Sequence, residues 1–174
     1  MNNKTRLIVM TALFAALTCV ATMAIRIPTP GTGGYIHPGD ALVILSGIML
    51  GPVYGFIAAG LGSCLSDLLG GYFLYVPATF VIKGLIACLT ALAYKRLADK
   101  PKGQLLGVVC GGVIDIVLVA GGYFVFEFFF YGLGAAASIP ANIIQGVGGL
   151  VIAVILSPVL NAAPRMTGLQ HAHR

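Results

Sequence analysis

The chain has 174 residues, of which 59% are hydrophobic and only 9% charged. A soluble domain carries roughly 25% charged residues, so this composition excludes a soluble globular protein and makes lipid the solvent for most of the chain. The net charge of +5 marks no nucleic-acid partner: most basic residues cluster at the start, near 95–102 and at the end, with no aromatic-interleaved basic face, a pattern that reports membrane topology.

A bilayer core of about 30 Å needs roughly 20 apolar residues at 1.5 Å each. The sequence offers six such segments, at about 7–25, 41–57, 55–71, 76–94, 105–125 and 139–161; five is the competing count. The first follows Lys4 and Arg6. It is long for a signal-peptide core and no A-x-A site follows, so it reads as a span. Residues 26–40, with three prolines and four glycines, predict a shaped, semi-rigid outside loop. Gly51-Pro52 interrupts the next apolar run, because proline cannot continue a helix interior. This predicts a short second span and a tight turn near 51–54. The stretch 96–103 is polar. Residues 126–138 start with an aromatic run that suits an outer interface, where Glu127 is expected to be solvated.

With the N-terminus inside and six spans, Lys4, Arg6, Lys95, Arg96, Lys100, Lys102, Arg165 and Arg174 all lie on the cytoplasmic side and Arg26 alone outside. That bias is the positive-inside pattern. The expected fold is all-α: a single polytopic membrane domain over 1–174, six transmembrane helices, both termini cytoplasmic. Cys19, Cys64, Cys88 and Cys110 lie in apolar stretches without C-x-x-C spacing and read as packing residues. His171 and His173 in the tail read as solvated, so no metal site is expected.

Three ionisable residues fall inside spans: Asp67, Lys83 and Asp115. Each costs on the order of 3 kcal/mol at mid-membrane, so each must face the protein interior. Spacing agrees. Gly55, Ala59, Ser63 and Asp67 recur every four residues, as do Thr79, Lys83, Ala87 and Ala91, and Gly107, Gly111 and Asp115. Small residues at this interval let helices approach closely. Counting depth along the spans gathers Asp67, Lys83, Asn142 and Gln145 in the outer half, beneath Tyr72, Tyr75 and the loop residues Tyr35, His37 and Asp40. A polar chamber flanked by aromatics suits a small polar ligand. The competing reading is an ion pair, Asp67–Lys83 or Lys83–Asp115, that merely locks helices.

No catalytic motif and no P-loop is present, so neither an enzyme nor an ATP-hydrolysing chain is expected, and no cofactor. ATP-driven transport would need partner subunits. A stand-alone secondary transporter remains the alternative, although no inverted repeat is evident.

Several stretches together carry a family likeness: Ala12-Leu-Phe-Ala-Ala16, Gly34-Tyr-Ile-His-Pro-Gly-Asp40, Leu50-Gly-Pro-Val-Tyr-Gly55 with Ser63-Cys-Leu-Ser-Asp67, and Pro77-Ala-Thr-Phe-Val-Ile-Lys-Gly84. They resemble the substrate-binding S-components of energy-coupling-factor (ECF) vitamin transporters, most closely those for vitamin B6 or the hydroxymethylpyrimidine precursor of thiamin, with riboflavin subunits as close relatives. The resemblance implies six helices with cytoplasmic termini and high-affinity capture of a vitamin near the outer face, under the loop joining the first two spans. It implies a transmembrane coupling subunit and two ATPase subunits as partners. It assigns Ala12 and Ala16 to an A-x-x-x-A contact with the coupling subunit; ordinary helix packing is the other reading of those alanines. Pyridoxine or a pyrimidine, stacked on tyrosine with Lys83 donating and Asp67 orienting Lys83 or accepting a hydroxyl, is the expected cargo.

Overall fold

The computed structural model describes residues 2–29 and 33–167, with side chains described as far as Val159. Arg165 and the tail histidines His171 and His173 therefore lie outside the described side chains. Helix α1 (Asn3–Ala24) starts at Asn2, whose side chain accepts from the Lys4 amide, a standard N-cap. A small antiparallel hairpin follows, β1 (Ile27–Pro28) and β2 (Tyr35–Ile36), pairing Ile27 with Ile36 and Pro28 with Tyr35. It is the one departure from an all-helical fold among the described residues. Then come α2 (Asp40–Gly70), α3 (Val76–Leu97), α4 (Gly103–Tyr131), a 3₁₀ segment (Gly132–Ser138) and α5 (Ile139–Thr167).

The continuous stretches Asn3–Ala24, Asp40–Gly70, Val76–Leu97 and Gly103–Val159 are each long and apolar enough to cross a membrane. The last contains the 3₁₀ segment, where the chain folds back and α5 returns along α4: Gly112 meets Leu150, and Gly146 meets Ile116.

The second is not one straight helix. Gly51 has φ 78° and ψ −178°, a conformation essentially reserved for glycine. Pro52 then begins a new helical segment, where its missing N–H costs nothing. The chain reverses here. A Cβ on Gly55 would come within 2.8 Å of the Gly47 Cα, although in a continuous helix these residues would be about 12 Å apart at 1.5 Å rise per residue. Residues 40–50 and 52–70 thus form an antiparallel helical hairpin. The turn sits where Gly51-Pro52 predicted it, but tighter: the two halves end and begin at 50 and 52, not at 57 and 55. A Cβ at Gly51 forces the chain out of this conformation, so Gly51→Ala should lose about 1–3 kcal/mol, read as a lowered melting temperature of the purified protein; an unchanged melt would mean the reversal does not need glycine.

The three small-residue stripes face inward as their spacing predicted. Gly55, Ala59, Ser63 and Asp67 are buried, as are Thr79, Lys83, Ala87 and Ala91, and Gly107, Gly111 and Asp115. The apolar core lies where residues 40–50 meet their neighbours: Ile44, Leu45 and Leu50 pack with Phe14, Ala58, Val108 and Ala153, while Val43 packs with Ala59, Ile86 and Val119. The outside is covered with exposed large apolar side chains, among them Ile8, Val20, Leu69, Phe73, Val117, Phe129 and Val159. A soluble protein does not carry such a belt; a lipid-embedded one requires it. On α1, Ala12 and Ala16 lie on the exposed face, opposite Thr11, Phe14, Ala15 and Thr18, which pack inward.

Two expectations are corrected. The aromatic run 126–131 belongs to α4, which passes the expected end of its span near 125 and reaches Tyr131. Glu127 is not solvated: it is 2% exposed, because the 3₁₀ segment folds over it.

Candidate ligand-binding site

Two polar assemblies occupy the region beneath the β1–β2 hairpin. The first surrounds a hollow of ≈ 310 Å³, its open mouth included, lined by Thr29, Gly34, Tyr35, Asp67, Tyr75, Thr79, Tyr123, Glu127 and Asn142. The hairpin forms its roof, α2 contributes Asp67, α3 Thr79, α4 Tyr123 and Glu127, and α5 Asn142. A carboxylate stands on either side. The Tyr35 hydroxyl donates to Asp67 Oδ1 at 2.6 Å and lies 3.3 Å from Ser66 Oγ. Tyr75 donates to Glu127 Oε1 at 3.0 Å, and Ser138 donates to Oε2 at 2.5 Å. Thr79 Oγ1 and the Tyr123 hydroxyl are 3.0 Å apart. The roof is held from outside by Arg26, which donates to the Ser66 carbonyl at 2.8 Å and lies 4.9 Å from the Tyr35 ring centre and 5.7 Å from that of Tyr72, in range for cation–π attraction. Burial first, then the adjacent Asp67 carboxylate, pushes the Tyr35 phenol up, so Tyr35 keeps its proton and acts as a donor.

The second assembly is closed. Lys83, 0% exposed, forms a direct ion pair with Asp40 Oδ1. Gln145 Nε2 donates to Asp40 Oδ2 at 2.7 Å, and Gln145 Oε1 accepts from the His37 amide at 3.0 Å. His37 Nδ1 accepts from the Gly39 amide at 3.1 Å. Burial lowers the His37 imidazole to about 4, against the opposing pull of Asp40. The ring is therefore neutral at physiological pH. The sign follows: a depressed histidine contributes stability that is complete above its unfolded value of about 6.5 and is lost as pH falls towards about 4. In an NMR titration the His37 ring signals should stay fixed from pH 8 down to about 5; a midpoint near 6.5 would show the ring to be open to water.

The expected site residues thus divide. Tyr35, Asp67, Tyr75 and Asn142 line the hollow. His37, Asp40, Lys83 and Gln145 do not; they form the closed network beside it. Both ion pairs weighed from the sequence, Asp67–Lys83 and Lys83–Asp115, are replaced by Asp40–Lys83. The cause is the reversal at Gly51, which carries the start of α2 down beside α3 instead of leaving Asp40 in the loop above. Thr29, Gly34, Thr79, Tyr123 and Glu127 are lining residues that the sequence reading missed. The networks touch at one wall, where Lys83 Nζ lies 5.7 Å from the centre of the Tyr123 ring. Among the described residues there is no cluster of side chains able to hold a metal ion, and the four cysteines are free.

Residues 2–162 match the family described as "ECF-type riboflavin transporter, S component". The chain belongs to this family. A solved structure described as "Structure and mechanism of the S component of a bacterial ECF transporter" superposes with a TM-score of 0.65, covering 92% of this chain and 98% of that one at 20% identity; at that identity the likeness establishes the S-component fold. The chain is 35% identical over 134 residues to a protein of Pyrococcus woesei described as "Uncharacterized protein in gap 3'region", covering 76% of this chain and 86% of the relative. It is 28% identical over 174 residues, 98% of this chain and 97% of the relative, to the "Thiamine precursor transporter HmpT" of Lactococcus lactis subsp. cremoris (strain MG1363). As an ECF S component, the chain is a multi-pass membrane protein that binds a vitamin-type substrate for uptake, and it is not an enzyme.

Proposed function

We propose that the hollow captures a small hydroxylated aromatic ring of the hydroxymethylpyrimidine type from outside the cell. The observation that carries this reading is the pair of buried carboxylates, Asp67 and Glu127, facing one tyrosine-walled hollow. Carboxylates only accept hydrogen bonds, so they call for a ligand rich in donors, such as an exocyclic amine and a hydroxymethyl group. Asn142 supplies one donor–acceptor pair for a ring nitrogen and its neighbour. Tyr35, Tyr75 and Tyr123 supply apolar faces for the ring. The relative named as a thiamine precursor transporter supports the same class. Pyridoxine, also a small ring with hydroxyl donors, is the second reading. Riboflavin, the cargo in the description of the matching family, is the third reading.

In this reading six segments cross the membrane, with both termini on the cytoplasmic side, supported by the positive-inside bias and by the two chain reversals within α2 and between α4 and α5. A transmembrane coupling subunit and two ATPases complete the importer, and the exposed Ala12–Ala16 face of α1 is where the coupling subunit docks. The test is mass spectrometry of ligand carried through purification, followed by calorimetric titration with hydroxymethylpyrimidine, pyridoxine and riboflavin. Tight binding of the pyrimidine alone supports the proposal. Tight binding of riboflavin alone sinks it. Uptake that persists in cells lacking any coupling subunit would instead support a stand-alone transporter.

A further inference from the structure

Asp115 lies near the middle of α4 and is 0% exposed. Both of its carboxylate oxygens are buried without a hydrogen-bond partner. The group within hydrogen-bonding reach is another carboxylate, that of Asp40, and the next charge is Lys83. Asp40 in turn is committed: Oδ1 accepts from Lys83 and Oδ2 from Gln145. The closed assembly therefore brings two acids and one ammonium together, all three 0% exposed. Written fully ionised, it carries one uncompensated negative charge in a protein interior surrounded by lipid. An unpaired buried carboxylate of this kind is too costly to persist; the group neutralises instead. Two carboxylates in contact attract only when a proton lies between them.

We propose that Asp115 is a proton-binding site: one of its oxygens holds a proton and donates it to an Asp40 oxygen. Each Asp40 oxygen has a second lone pair free for this bond. The assembly then holds one ammonium, one carboxylate and one neutral acid, and the orphaned Asp115 group gains a partner. The groups that face Asp115 are Asp40 from α2 and Lys83 from α3. From α5 comes the neutral amide of Gln145, and from the hairpin loop comes neutral His37, both through Asp40. Through that chain the proton bears on the roof of the hollow. Losing it sets a second anion against Asp40, draws Lys83 towards Asp115, and slackens the Asp40–Gln145–His37 tie that holds the hairpin loop down. This inference stands apart from the identity of the cargo.

Infrared spectroscopy of the purified protein in lipid at neutral pH tests it directly. Wild type should show a protonated-carboxyl C=O band that shifts on exchange into D2O and is absent in Asp115→Asn. Asp40→Asn is the second arm. With Asp40 neutral, Asp115 becomes the sole anion for Lys83, and the same band should disappear because Asp115 ionises. If Asp115→Asn does not fold, the Asp40→Asn spectrum still decides. A band that survives in either variant overturns the proposal, as does a wild-type spectrum without it. So does a thermal stability that rises with sodium concentration at constant ionic strength and loses that rise in Asp115→Asn, since the missing charge would then be a metal cation. The linked expectation is that the unfolding constant of wild type grows with rising pH relative to that of Asp115→Asn, because the unfolded chain releases the proton that the folded chain holds.

Discussion

Lys83→Ala is expected to be the most damaging single change in the chain, with a loss of about 3–5 kcal/mol. Lys83 is fully enclosed and its ammonium is the cation for Asp40. Removing it leaves the buried Asp40 carboxylate without a cation, and also empties the space that the four-carbon stem filled. The effect should appear as a large drop in the denaturant or detergent needed to unfold the purified protein. Lys83→Met combined with Asp40→Asn should lose much less, because it removes both charges and keeps their volumes. Equal stability of Lys83→Ala and wild type would show that the ion pair contributes nothing. A loss of ligand binding that accompanies the lost stability follows from the fold, since Lys83 does not line the hollow.

Glu127→Ala should have the largest effect on capture. A hydrogen bond to a charged group is worth about 1.5–3 kcal/mol, so affinity for hydroxymethylpyrimidine should fall roughly 10- to 150-fold in calorimetry. The change also frees Tyr75 and Ser138, which hold the two carboxylate oxygens, so the 3₁₀ segment loses an anchor. Ser138→Ala separates the two contributions: it releases the segment but keeps the carboxylate facing the hollow, and should leave most of the affinity. Wild-type affinity in Glu127→Ala would remove this residue from the ligand's surroundings.

The inward course of Asp67, Lys83 and Asp115 was legible because each continues a four-residue run of small side chains, and helical geometry leaves such a run one face to occupy. The break at Gly51-Pro52 was legible because a proline costs a helix one backbone hydrogen bond and the glycine before it frees the chain to turn. The partner of Lys83 was not legible. Which acid meets it depends on the sharpness of that break, and a reversal within one residue brings Asp40 down beside α3. Glu127 carried a signal that went unread. The stripe Gly107, Gly111, Asp115 continues through Val119 and Tyr123 to Glu127 at the same interval, so one face of α4 links the core to the hollow. The neighbouring aromatics masked it by suggesting an interface.

The segment 40–50 rises only about 16 Å from the reversal, roughly half the thickness of the hydrocarbon layer. One wall of the bundle is therefore cut down to mid-depth, and the residues that join β2 to α2 fill the notch, with the His37 amide tied to Gln145 and Gly39 against Thr22. Peptide groups outside regular helices persist at that depth only when protein or water surrounds them. Lifting the connection would consequently admit a column of water to the centre of the bilayer from one side only, while the tightly packed lower half stays dry. The directionality of access is thus set by a single truncated helix, before any partner is engaged.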